Sequence, residues 1–250
     1  MAFTSDKELK QLYSRVDDAI RLSELRHKPC FLGFLNEHES FLVRNYISGF
    51  GKDFELFGGY EGAERLMLCV SEFPADKDDY PIREIYYKFR KGYKLSHRDF
   101  LGALMNLGIE RDCIGDILVE DGQALVFARE EIADYITSGI SKIGRVGVEN
   151  CDGSDMSFSY QKNLKELKLI ISSMRLDVVV AALTGLSRGK TAQLILSGKV
   201  FLNYSEASNS SCTIKENDIL TIRGNGKYII KGQNGVTKKG RLMLNVEHYK

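Results

Sequence analysis

Two short stretches carry residue types that can do chemistry. Gly189-Lys190-Thr191 follows a turn and ends like a phosphate-cradling P-loop. That loop requires a further glycine five residues before Gly189, a buried strand before it and a long helix after it. Thr184 holds the required position, Gly185 lies one residue too close, and the preceding segment has helical rather than strand periodicity. No strand ending in Asp is available for a metal, so nucleotide hydrolysis is rejected. His97-Arg98-Asp99 has the order of a kinase catalytic loop, but Leu104 stands where that loop needs an Asn. Asp99 reads instead as a helix-start residue favoured by the helix dipole.

Arg175-Leu176-Asp177 echoes the catalytic stretch of pseudouridine synthases, but Ala182 replaces the expected glycine and the chain lacks room for that catalytic domain. Asp177 is better read as capping a helix and orienting Arg175. The five cysteines (Cys30, Cys69, Cys113, Cys151, Cys212) are odd in number and scattered, which argues against a disulfide framework and for a reducing cytoplasm. They form no CxxC pair, and the four histidines form no ligand pair, so no metal site, cofactor fingerprint, catalytic group or small-molecule substrate is expected. No run of about 18 apolar residues predicts a membrane span. The charged N-terminus does not read as a secretory signal.

The net charge of +1 hides an asymmetry. Residues 1–165 carry 22 Lys and Arg against 28 Asp and Glu, whereas residues 166–250 carry 13 against 6. A basic rear portion points to a polyanionic partner.

The elements that must position these groups follow from periodicity. Helices are expected over 5–27 and about 37–48, the second closed by Gly49 and Gly51. Residues 1–64 are therefore read as a helical region. From 65 to 150, strands at 65–71, 82–89, 116–120, 123–128 and 146–149 alternate with helices at 97–107 and 129–141. Ser96 and Asp99 have the spacing of a capping box, and Asp121-Gly122 that of a tight hairpin turn. This order contains the split βαβ, or ferredoxin-like, unit. Residues 151–165 read as a polar linker. A strand at 167–173 is followed by a helix ended by Gly185 and a second helix over 188–197, capped by Ser187. Strands at 200–203, near 211–214, 219–223 and 228–231 complete a unit over 166–232. Residues 233–250 form a basic extension whose Leu242-containing tail has strand character. The fold class is thus α+β and multidomain.

Arg175-Leu176-Asp177, Ser187-Arg188, Ala192, Leu194-Ile195, Gly198-Lys199-Val200, Asn203 and Asp218 together resemble the S4 RNA-binding domain in order and spacing over about 60 residues. FLNEHE, FGGYEGAERLML and HRDFLGALMNLGIERDCIGDILVEDGQALVF resemble the YlmH family of bacterial S4 proteins. The resemblance implies a non-enzymatic factor of ribosome-associated quality control, contacting ribosomal RNA and tRNA on the large ribosomal subunit. It places Lys190 on the second helix of a helix hairpin, facing an RNA phosphate. Arg175, Arg188 and Lys199 are expected around the same point, with Gln193, Lys238, Lys239 and Arg241 as extensions and Asp177 and Ser187 as structural support. Two alternatives stand beside this reading: an RNA-modifying enzyme targeted by its S4 domain, and a cell-division scaffold whose acidic N-terminal region binds a protein partner.

Overall fold

The computed structural model describes residues 6–50, 53–73, 75–154, 156–158 and 164–249. Residue 5, Gly51 and much of the expected linker, including 159–163, lie outside the described residues. The chain divides into two compact units, residues 1–160 and 161–250.

The first unit begins with α1 (Asp6–Arg26), β1 (Cys30–Leu35), α2 (Glu37–Ser48), β2 (Phe54–Phe57) and β3 (Leu66–Val70). Asn36 caps α2, accepting from the Glu39 amide while the Glu39 carboxylate accepts from the Asn36 amide. The three strands form an antiparallel sheet in the order β1-β3-β2. The segment expected to be helical is therefore half sheet, and the strand assigned to the middle domain is the centre of that sheet. The reason is visible in its residues. Leu66–Val70 is an uninterrupted apolar run, so its period does not tell which layers cover it. Leu68 and Val70 pack against Leu12, Val16, Val43 and Ile47 of the two helices, whereas Met67 and Cys69 face the other way.

A second sheet follows: β4 (Ile82–Phe89), α3 (His97–Asn106), β5 (Ile114–Glu120), β6 (Gln123–Arg129), α4 (Glu130–Gly139), β7 (Lys142–Ile143) and β8 (Val146–Cys151). Its order, β5-β6-β4-β8-β7, places the first strand between the third and the fourth of the βαββαβ unit, as the split βαβ topology demands. Strand β6 is sandwiched. Ala124, Val126 and Ala128 face α3 and α4, while Leu125 and Phe127 meet Phe34, Met67 and Cys69 of the first sheet. The unit is thus layered helix, sheet, sheet, helix.

Polar groups lock the two sheets together. Buried Asp116 accepts hydrogen bonds from Tyr60 Oη (2.8 Å) and the amides of Glu64 (2.7 Å) and Arg65 (3.0 Å). The Arg65 guanidinium donates to the carbonyls of Ile114, Phe34 and Arg111. Burial first, and the adjacent Arg65 charge second, draw the Arg111 guanidinium down to about 10.

The second unit comprises β9 (Leu164–Ile171), α5 (Leu176–Thr184), α6 (Arg188–Leu196), β10 (Val200–Leu202), β11 (Ser205–Glu206), β12 (Ile219–Ile222), β13 (Gly226–Val236) and β14 (Leu242–Tyr249). One antiparallel sheet runs in the order β11-β10-β12-β13-β14-β9. The segment read as a basic extension is structural: β14 lies between β13 and β9 and buries Leu244 and Val246. The strand expected near Ser211–Ile214 is absent apart from one bridge between Arg175 and Thr213. Carbonyls there are used elsewhere, because those of Ser210 and Cys212 accept the first amides of α5. None of the described helices is long and apolar enough to cross a membrane.

Candidate nucleic-acid interface

Helices α5 and α6 form the hairpin that presents most of the candidate residues. Leu176, Val179 and Val180 anchor α5 to the sheet, and Thr191 and Ile195 anchor α6. Gly185 joins them in the left-handed conformation (φ +69°), which suits glycine because it lacks a Cβ. With Thr191 and Ile195 inward, Gly189, Lys190, Gln193 and Leu196 form the exposed stripe of α6.

The start of α6 is electropositive. Among α2 to α6 it alone has no acidic residue in its first turn. Ser187 occupies the N-cap position with extended backbone, yet its side chain makes no capping hydrogen bond, contrary to the role read from the sequence. The dipole of the helix, the first-turn amides, Arg188 and Lys190 therefore add in the same sense, which favours an anion such as phosphate.

Asp177 sets the geometry of Arg175. Arg175 itself occupies the N-cap of α5, and Asp177 sits in the first turn rather than capping it. The guanidinium donates to both carboxylate oxygens, Nε to Oδ1 at 3.0 Å and an Nη to Oδ2 at 2.8 Å. Asp177 is buried while the Arg175 side chain stays 42% exposed, so the pair fixes a cation that still faces outward. Hydrogen bonding from Arg175 leads the causes that hold the Asp177 carboxyl below its usual range, with the Arg188 charge contributing. Asp177 thus lies in the field of both Arg175 and Arg188.

The remaining candidates divide between opposite ends of the sheet. Lys238, Lys239 and Arg241 occupy the β13–β14 turn, closed by the Thr237 amide donating to the Arg241 carbonyl at 2.7 Å. Leu242 pairs with Ile171, so this turn lies at the end of the sheet from which the chain enters α5. Lys199 precedes Val200, which pairs with Ile222 at the other end. Strand β13 has 11 residues, and at about 3.3 Å each the separation is roughly 30 Å. Lys199 and the tail cations therefore do not contact one phosphate group together.

Two further cations, Arg223 beside Lys199 and Lys227 on β13, escaped sequence reasoning. The Arg223 amide donates to the Lys199 carbonyl, and its guanidinium stands 5.0 Å from the Phe201 ring centroid. Lys227 Nζ lies 4.6 Å from the centroid of Tyr249 and 5.6 Å from that of Tyr204. The available signal was the hairpin turn Arg223-Gly224-Asn225-Gly226-Lys227, a glycine turn flanked by cations. Asn203 and Asp218 are structural. Asn203 Nδ2 donates to Asp218 Oδ1, and Asn203 Oδ1 accepts the Ile219 amide, which clamps the start of β12 to the turn after β10.

Comparison with known proteins decides what this scaffold is. Residues 75–154 match the family described as "Putative RNA-binding domain in YlmH", and residues 174–220 match the S4 domain. The chain carries a YlmH-type RNA-binding domain followed by an S4 domain. It is 26% identical over 243 residues to the Ribosome-associated protein quality control protein P2 of Bacillus subtilis (strain 168), an alignment that covers 94% of each chain. Among solved structures, the Cell division protein ylmH from Streptococcus pneumoniae shares the fold, with a TM-score of 0.50 and 24% identity over 62% of this chain and 96% of that one. The YlmH RNA-binding domain starts after β3, in agreement with the pairing of that strand in the preceding sheet. The S4 match contains the α5–α6 hairpin and the Asn203–Asp218 clamp, and ends before β13 and β14.

Proposed function

We propose that this protein is a non-enzymatic RNA-binding factor that associates with the large ribosomal subunit, contacts its ribosomal RNA and peptidyl-tRNA, and serves the quality control of stalled nascent chains in the cytoplasm. The observation that carries the reading is the positive start of α6, whose first turn has no acidic residue, with Arg188 and Lys190 exposed and Arg175 fixed outward by Asp177, on a hairpin of RNA-binding type. The full-length similarity to a ribosome-associated quality control protein supplies the ribosomal context. Contacts of this kind position an RNA backbone and carry little base information, so shape is what the surface recognises. Arg175, Arg188, Lys190 and Gln193 form the central contact, and Lys199 and the Lys238–Arg241 turn flank it at opposite ends of the sheet.

Sucrose-gradient sedimentation tests this. Wild-type protein is expected to migrate with 50S particles at low salt, and the Arg188→Ala/Lys190→Ala variant to stay at the top. Wild-type protein remaining at the top, even with stalled complexes present, overturns the ribosomal reading.

A further inference from the structure

The first unit holds a cationic cleft that the α5–α6 hairpin does not account for. It measures about 560 Å³ and lies between α3 and the β7–β8 hairpin. Lys94, Arg98, Lys142 and Arg145 line it, all four exposed, with Asp99 as the only carboxylate. Both Asp99 contacts are local: its Oδ2 accepts from the Ser96 amide at 2.8 Å and the Ser96 hydroxyl at 2.6 Å. Among the described residues none of the four cations forms an ion pair.

This concentration runs against the surrounding charge. Residues 75–154 contain 11 Lys and Arg against 15 Asp and Glu, yet the cleft has four cations to one acid. The four come from the loop before α3, its first turn and the β7–β8 hairpin, so only the fold gathers them. Gly102 adds an independent observation. It is exposed in the middle of α3, where glycine costs roughly 0.5–1 kcal/mol relative to alanine. Its φ is not positive, and an added Cβ would meet nothing within 4 Å. Neither backbone conformation nor packing calls for glycine, whereas close approach of a partner to the helix backbone does. Gly189 on α6, between Arg188 and Lys190, has the same open surroundings.

We propose that this cleft is a second seat for the phosphodiester backbone of RNA, with Lys94, Arg98, Lys142 and Arg145 as its phosphate contacts and Gly102 as the opening that lets the backbone approach. The inference deepens the RNA-binding reading and rests on it. No aromatic side chain lines the cleft, so it offers no platform for stacking unpaired bases; it fits the sugar–phosphate edge of a structured RNA.

The test measures affinity of the full chain for a defined RNA stem-loop as a function of salt. Four proteins are compared: wild type, Arg98→Ala/Arg145→Ala, Arg188→Ala/Lys190→Ala, and Arg83→Ala as a control, since Arg83 pairs with Asp134 outside the cleft. Loss of two phosphate contacts should reduce the log-affinity against log-salt slope by roughly 1.4–1.8. The cleft variant is expected to show that reduction, independently of the hairpin variant, with the control unchanged. Gly102→Glu should weaken binding without lowering the unfolding midpoint, because it adds a carboxylate to the cleft and a better helix former to α3. A cleft variant with wild-type affinity and slope, beside a weakened hairpin variant, overturns this inference and leaves the S4 reading intact. A cleft variant that binds RNA normally but leaves ribosomal particles marks a protein-docking surface and overturns it too. Failure of the wild-type chain to bind the stem-loop or any ribosomal RNA removes both.

Discussion

Lys190 and Asp177 make different kinds of contribution, and their substitutions separate them. Lys190 is exposed beside an electropositive helix start, so what it contributes is charge. Lys190→Ala should weaken RNA binding and reduce the salt slope by about 0.7–0.9, leaving the unfolding midpoint unchanged. Asp177 carries no favourable charge for RNA; it holds Arg175. Its carboxyl has a lower pKa folded than unfolded, which means the pair's stabilisation is present above the unfolded value of about 3.9 and is lost as pH falls through the folded value. Asp177→Asn should therefore be less stable than wild type at neutral pH, with the difference shrinking in acid. Urea midpoints measured between neutral pH and about pH 2 check the sign. The variant should also bind RNA more weakly despite retaining every cation, since Arg175 is no longer fixed.

At the scale of elements, the joint between the two sheets of the first unit depends on one carboxylate. Asp116 satisfies Tyr60 Oη and two amides in a buried place. Asp116→Ala leaves three donors without their acceptor and removes one of the carboxylates, with Glu39 and Asp112, whose charge acts on the Arg65 cation. A loss of about 3 kcal/mol is expected, from a typical 1–3 kcal/mol for each unsatisfied buried group. Urea denaturation of the full chain reads it. This role was not legible beforehand, because Asp116 sits inside an apolar run and resembles a solvated strand residue. By contrast, the Ser96–Asp99 box and the Gly185 break were legible, since capping and left-handed turns depend on residues next to one another.

At the scale of the molecule, the two units fold around separate cores. The C-terminal strand closes the second core: β14 pairs with β13 on one side and β9 on the other. A chain ending at Gly232 should lose the cooperative unfolding of residues 164–231 while 6–158 keep theirs. Amide hydrogen exchange resolves the two, and unchanged protection in β9 would overturn the assignment. The family match to the S4 domain stops at residue 220, so this dependence is not visible in the matched segment itself.

Most helices and their breaks, the Ser96–Asp99 box, the split βαβ order, the charge asymmetry and the S4 and YlmH character could be read from the residues alone. All of these are written in local spacing or in motif order. The pairing of Leu66–Val70 within the first sheet could not, since an apolar run buried on both faces carries no record of its neighbours. Nor could the distance of Lys199 from Lys238, Lys239 and Arg241, its nearness to Arg223, or the cleft that Lys94 and Arg98 share with Lys142 and Arg145. Strand register and layer packing join residues dozens of positions apart, and neither leaves a periodic trace in the residues they bring together.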